Sequence, residues 1–381
     1  MKIAFLSWTF YPALGGTQVF LYKLIEELIS KGYEVDIYLP SYAFKISKNY
    51  APKGAKIIQL SFFEKYSLNY CSFFLKKKIL QIQKNKKYDL WQVIGAYPPA
   101  YLCEYLKNIC PIVLRTHGDD IQINQKLNYG FGRNKNIQKK IILGLHTANK
   151  LIALTNDVKN IYLENKINNN KIAIIPNGVT LNDNCENKEL NNKRFFKFIT
   201  VGRAHKKKGY DLIPATIKKL QEKKIHFIWT IIGEGVIDLP FLKEDSIKKN
   251  LKLIDRLQPE IKIGNLSFPP EALTKEYAKN DFFIMTSYIE TFGMVLIEAM
   301  NNGLAVISSD APGCREVIKH RYNGLIFKSG DIDDLTDQIL TMIDDKKTHQ
   351  NILSNSKKDV KQYSWDKVSN KYISLYKNLK I

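Results

Sequence analysis

The sequence predicts an α/β protein made of two doubly wound domains, each built on a parallel sheet. Three observations predict it. The chain is 381 residues long, enough for two domains of ordinary size, each with its own core. Short apolar segments without strict alternation recur between amphipathic helical segments, which is the pattern of strands covered on both faces. A polar, Asn-rich break, VTLNDNCENKELNNKR (Val179–Arg194), interrupts the series, which then begins again.

The elements follow in order. Lys2–Trp8 reads as the first strand and runs into a loop ending at Gly15 and Gly16. From Thr17 to Lys31 the residues Val19, Tyr22, Leu24, Ile25, Leu28 and Ile29 form a helical stripe, with Gly32 as its stop. Glu34–Leu39 completes a βαβ unit. Further strands are expected at Leu90–Ile94, Ile112–Thr116, Leu151–Leu154 and Lys171–Ile175. The second series gives Phe195–Val201, Phe227–Ile232, Glu260–Ile263, Phe282–Thr286 and Ala305–Ser308. The segment SWDKVSNKYISLYKNL after Tyr363 is an amphipathic terminal helix. The expected domains are 1–180, a linker 181–194, 195–362, and a terminal helix 363–381 returning to the first domain. Sheets of this Rossmann-like kind bind ligands beyond the carboxyl ends of their strands, so two facing domains would make a cleft.

Hydrophobic residues make up 45% of the chain and charged ones 25%, a globular balance. No uncharged apolar run reaches about 18 residues, so no spanning helix is expected. The start MKIAFLSWTF has too short an apolar stretch and no cleavage signature, and reads as a strand, with a cytoplasmic location expected. Cys71, Cys103, Cys110, Cys185 and Cys314 form no CxxC pair, which argues against a disulfide framework or a zinc site.

The net charge of +21 fits nucleic acid, an anionic membrane surface or phosphorylated substrates. Much of the excess is Lys in a Lys- and Asn-rich sequence. No nucleic-acid reading module is visible, so no specific nucleic acid is expected, whereas salt-sensitive polyanion binding is. Residues 62–88 mix aromatics with Lys76, Lys77, Lys78, Lys84, Lys86 and Lys87. Such a segment fits an anionic bilayer, and equally an ordinary helix with a solvated Lys face.

Two segments carry the chemistry. In SYIETFGMVLIEAM (Ser287–Met300), Glu290 lies in the loop after the strand DFFIMTS, and Glu298 follows on a helix beginning near Phe292 and Gly293. The start of that helix offers free N–H groups and the positive end of a dipole, suited to a diphosphate. Glu298 interrupts an otherwise apolar helix and needs a partner, for which a pair of ribose hydroxyls would serve. Taken alone, two such glutamates read more readily as local surface carboxylates, and the second segment reverses that balance. In ITVGRAHKKKGYDLIPA (Ile199–Ala215), Arg203 follows a strand and Lys208 precedes a helix. A guanidinium fork and an ammonium together neutralise a departing nucleotide diphosphate.

The chain resembles the family 4 glycosyltransferases of the GT-B fold. The resemblance rests on the Gly-Gly loop, RTHGDDI, IPNGV, VGR…KKKG, the E-x7-E stretch, APGCREVI, YNGLIF and the aromatic-headed final helix, in that order. It implies a retaining enzyme that uses a nucleotide diphosphate-sugar donor and needs no cofactor or metal. It assigns Glu298 to the ribose and Glu290 to the donor sugar, with backbone N–H groups of Phe292, Gly293 and Met294 meeting sugar and phosphate. Arg203 and Lys208 would hold the diphosphate, and Gly15 and Gly16 would let a first-domain loop approach it. His117 would hydrogen-bond the reacting sugar; together with Glu290, Arg203 and Lys208 it forms the expected catalytic set. Asp120 matches an acidic position after the His-Gly pair, and Asn177 with Gly178 a turn. Glu316 matches a family position, with a helix-start role equally available.

The acceptor implied is a glycan or lipid-linked molecule in cell-surface polysaccharide or lipopolysaccharide synthesis. No second carboxylate is placed opposite Glu290, and the resemblance implies front-face substitution rather than a covalent intermediate. The alternatives are a non-catalytic or polyanion-binding protein and a GT-B phosphorylase or epimerase.

Overall fold

A computed structural model of the protein describes residues 1–13, 15–60, 68–183, 185, 190, 193–258 and 266–379. It forms two compact units. The first contains Met1–Asn177 and the helix Trp365–Lys377; the second contains Gly178 to Ser364 apart from a few residues near 262–265.

The first unit holds a parallel sheet of β1 (Lys2–Leu6), β2 (Glu34–Leu39), β3 (Lys56–Gln59), β4 (Leu90–Ile94), β5 (Ile112–Arg115), β6 (Lys150–Ala153) and β7 (Ile172–Ile174). Its order is β3-β2-β1-β4-β5-β6-β7. The middle strands are buried along their whole length, as expected for a sheet covered on both faces. The helix Gly16–Ser30 turns its Phe20, Leu21, Leu24, Ile25 and Leu28 inward and ends where the Gly32 N–H returns to the Ile29 carbonyl at 2.9 Å. The terminal helix packs within this unit. Its Tyr376 donates to Gln92 Oε1 (2.7 Å), its Asp366 pairs with Lys31 (2.8 Å), and Trp365 lies 6.3 Å from the Phe20 ring.

The second unit holds β8 (Phe195–Val201), β9 (His226–Ile232), β10 (Leu251–Ile254), β11 (Phe282–Met285), β12 (Ala305–Ser309) and β13 (Leu325–Phe327). All pair in parallel, in the order β10-β9-β8-β11-β12-β13. Phe198, Phe227, Trp229 and Phe282 make its aromatic centre.

Most expected strands appear with ends shifted by at most two residues. Three strands were not expected: β3, β10 and β13. Each has only three or four residues, too few for a run of apolar positions to stand out, and each lies at or beside a sheet edge. The expected strand Glu260–Ile263 lies outside the described residues, as do Phe62–Ser67 of the aromatic, Lys-rich segment and much of the expected linker. No described helix is long and apolar enough to cross a membrane.

Candidate functional site

In both units the strand order reverses beside the first strand. In the second unit the chain builds outward from β8 through β9 to β10, then returns to place β11 on the other side of β8. The loops leaving β8 and β11 therefore separate at a topological switch point, where doubly wound sheets open a crevice. Arg203 and Lys208 are on the first loop, Glu290 on the second.

The two loops are stitched together. Lys206–Lys208 forms a single 3-10 turn, started by His205, whose Nδ1 accepts from the Lys207 N–H at 3.1 Å. Gly209 follows at φ 65°, ψ 28°. A Cβ there would overlap the Thr286 carbonyl oxygen, so only glycine lets the turn lie against the end of β11. Thr286 Oγ1 donates to the Lys208 carbonyl (2.8 Å), and the Tyr288 N–H donates to that of Lys207 (2.7 Å).

This stitching brings the Lys208 ammonium onto Glu290 Oε1 in an ion pair shielded from water. Burial alone would raise the Glu290 carboxyl; the charges of Lys208 and Lys207 outweigh it and hold the group below its ordinary value. Glu290 is therefore an anion in the ligand-free protein. Arg203 is exposed and makes no hydrogen bond or ion pair with any described residue. Its charge is still felt locally: after burial, the fields of Lys207, Arg203 and Lys208 lower the His205 imidazole.

Beyond Glu290 the chain reaches Gly293 at φ 79°, ψ 62°, which turns it into the helix Met294–Asn301. A side chain at Gly293 would meet Leu296 Cδ1 at 2.8 Å. Phe292 is buried edge-on against Tyr363, 5.6 Å between centroids, and this fixes the approach to the helix. Met294 is half-buried at the helix start.

Glu298 lies one turn further and is 9% exposed. Tyr277 donates to its Oε2 at 3.0 Å; its other oxygen makes no hydrogen bond with a described residue. Burial raises this carboxyl to about 7, against the opposing pull of the Tyr277 hydrogen bond. Such a group gains most from a ligand that brings hydroxyl donors.

In the first unit the switch point lies between β1 and β4. Gly15 caps the helix Gly16–Ser30, its carbonyl accepting from Gln18 and Val19 at 3.1 Å each. His117 follows β5 and is partly buried, 5.8 Å from the Phe20 ring. Burial and then the Arg115 guanidinium hold its imidazole well below the usual histidine range, so it is neutral. The Asp120 carboxylate turns back on the same loop and accepts from the N–H groups of His117 (2.8 Å), Gly118 (3.0 Å) and Ala96 (2.9 Å). Asp120 thus ties the loop after β5 to the segment after β4.

A family model described as Glycosyl transferases group 1 matches residues 182–359, and one described as Glycosyltransferase Family 4 matches residues 14–183. The chain belongs to the family 4 glycosyltransferases. The glycosyltransferase is 22% identical to the phosphatidylinositol N-acetylglucosaminyltransferase GPI3 subunit of Saccharomyces cerevisiae, over 99% of its own length and 83% of the yeast protein's. It is 24% identical to the N-acetyl-alpha-D-glucosaminyl L-malate synthase of Bacillus anthracis, over 97% and 95% of the two chains. A crystal structure of Anabaena HepE in complex with UDP shares its fold, with a TM-score of 0.77 at 18% identity over the whole of both chains.

Of the residues that the glycosyltransferase's sequence points to, the structure joins Lys208 with Glu290 directly. It sets Arg203 on the same loop, with no hydrogen bond or ion pair to a described residue, and Glu298 on the following helix. Glu316 lies in the one-turn helix Cys314–Val317, behind Gly313. Asn177 accepts from the fully buried Arg115 guanidinium.

Sequence reasoning missed three supporting residues. Tyr277 holds Glu298, Thr286 holds the Lys208 turn, and Arg115 lies beneath His117. Arg115 donates to Tyr372 (2.7 Å) and sits 3.3 Å over the Phe20 ring. Only Arg115 left a trace in sequence, as a lone cation ending an apolar strand.

Proposed function

We propose that this glycosyltransferase takes its sugar from a nucleotide diphosphate-sugar, retains the anomeric configuration and works without a metal ion. The observation that carries the reading is the arrangement in the second unit. A cationic loop with Lys208 and Arg203, the latter unpaired among the described residues, an anionic Glu290 and a half-satisfied Glu298 all follow the carboxyl ends of adjacent strands. A diphosphate needs the cations, and a ribose diol needs the carboxylate. Anabaena HepE, which shares the fold, was crystallised with UDP and with UDP-glucose.

On this reading Glu298 accepts from the ribose hydroxyls. Lys208 and Arg203 neutralise the phosphates as charge develops on the leaving oxygen, a role a divalent cation fills in other enzymes. Glu290 and the N–H groups of Phe292, Gly293 and Met294 orient the sugar. His117 is the neutral hydrogen-bond partner of the reacting sugar, and Gly15 and Gly16 give the phosphate backbone N–H groups. The acceptor hydroxyl attacks the anomeric carbon on the face the phosphate leaves. The C1–O bond to phosphate breaks, the bond to the acceptor oxygen forms, and the departing phosphate oxygen takes the proton. The acceptor class that fits is a glycan or a lipid-linked glycan.

A thermal-shift panel of UDP-, GDP- and ADP-sugars identifies the donor, and proton NMR of the first product reads the anomeric configuration. Retention, with turnover unchanged by a chelator, is the expected result. Inversion, or abolition by the chelator, would overturn the mechanism.

A further inference from the structure

The helix Leu68–Lys86 in the first unit has two faces with different tasks. One is part of the core: Leu75 and Ile79 are buried, and Gln83 accepts from Trp91 Nε1 (2.8 Å) while donating to the Tyr88 carbonyl (3.0 Å). The opposite face begins with two adjacent phenylalanines in solvent, Phe73 at 49% and Phe74 at 63% exposure. Burying them in the fold was open to the chain and did not happen. Their rings pack edge to face at 5.8 Å, and Phe73 continues onto Tyr105 at 6.4 Å, so the patch is a fixed aromatic surface.

Lysines surround these rings. Lys77 lies 4.3 Å over Phe73, and Lys76 lies 3.9 Å over Tyr101. Lys78 and Lys84 are exposed further along the helix. The helix has five lysines and no Asp or Glu. Lys76 also pairs with Glu104.

We propose that this face, Phe73 and Phe74 with Lys77, Lys78 and Lys84, docks the protein on an anionic lipid bilayer. An aromatic pair enters the interface while ammonium groups further along the same helix meet lipid phosphates, a division that a purely electrostatic partner does not need. The helix itself brings no acidic group that such a leaflet would repel. The inference concerns where the enzyme works and does not depend on the donor chemistry proposed above.

The test is co-sedimentation of the full-length protein with vesicles of phosphatidylcholine alone and of phosphatidylcholine with 30% phosphatidylserine (about the anionic content of a charged leaflet). Binding to the anionic vesicles only is expected. K77E/K78E should weaken it by at least roughly 30-fold, two basic side chains being removed and two repelled charges added. F73S/F74S should abolish the part that survives in high salt. The equal charge change K346E/K347E, on exposed lysines of the second unit, should leave binding within about twofold of the wild type, as expected for charges away from the surface. Folding of each variant is checked by its Tm, and donor turnover by a water-soluble acceptor should be unchanged.

Equal losses for K77E/K78E and K346E/K347E would reduce the effect to net charge and overturn the proposal. So would vesicle binding indifferent to F73S/F74S, or a single-stranded oligonucleotide bound through Phe73 and Phe74 in preference to vesicles.

Discussion

Tyr277 donates its phenolic hydrogen to Glu298 Oε2 across 3.0 Å, and this is the one hydrogen bond that the carboxylate has among the described residues. A buried carboxylate with one donor is poised for more. Tyr277→Phe should therefore weaken donor binding by about 1.5–3 kcal/mol, the range for a hydrogen bond to a charged group. Calorimetric titration of the nucleotide diphosphate measures it. An unchanged Kd would mean that Glu298 does not meet the ligand as an anion.

The same carboxyl makes stability depend on pH. Its ordinary value is 4.5, and burial raises it to about 7. Between those values the folded state keeps a proton that the unfolded chain releases, so stability falls as pH rises through this window. Glu298→Gln removes that term. The variant should match the wild type near pH 4 and exceed it by up to about 3 kcal/mol at pH 8, as the shift implies. Denaturant midpoints at the two pH values check the sign. Donor binding should strengthen in the wild type as pH rises through about 7, because ribose hydroxyls favour the ionised carboxylate.

Arg203 and Lys208 should separate stability from turnover. Arg203 has no described partner, so Arg203→Ala should leave Tm nearly unchanged while transition-state stabilisation falls by about 2–4 kcal/mol. Lys208→Ala should lose activity on the same scale and stability as well, because Glu290 stays buried without its counter-charge. Without Lys208 the first of the two lowering charges is lost, so the Glu290 carboxyl moves up and the acid limb of the pH–rate profile moves to higher pH. Equal Tm losses in the two variants would contradict this division.

Gly209 tests the stitching of the loops. An alanine there faces the left-handed backbone region, about 1–2 kcal/mol unfavourable, and an overlap with the Thr286 carbonyl. Gly209→Ala should lower Tm and weaken diphosphate binding together, since the displaced turn is the one that carries Lys208. Thermal shift with and without the nucleotide reports both.

Arg115 is buried with no carboxylate partner, held by Tyr372, Asn177 and the face of Phe20. Its Nε already lacks a hydrogen-bond acceptor among the described residues, so Tyr372→Phe leaves a further guanidinium N–H unsatisfied and should destabilise the protein by about 1–3 kcal/mol. Chemical denaturation measures it, and a neutral result would show that the group finds another acceptor.

Much of this was legible in sequence because it is local. Apolar runs gave β1, β2, β4 and β8, glycines marked the turns, and a glutamate in the apolar helix MVLIEAMN stood out as a group needing a partner. The short strands β3, β10 and β13 were not legible, because three or four residues carry too little periodicity. Tyr277 was hidden because an aromatic on an amphipathic helix is ordinarily core.

The sequence by itself determined two parallel α/β series and the loops that bear Arg203, Lys208, Glu290 and Glu298, since hydrophobic period and turn chemistry are written along the chain. Tertiary structure alone decided that Lys208 neutralises Glu290, 82 residues away, and that Arg115 donates to Tyr372 of the terminal helix, 257 residues away. The reason is topological. Those pairs depend on which strands and helices become neighbours, and the pattern within a strand says nothing about the strand that will lie beside it.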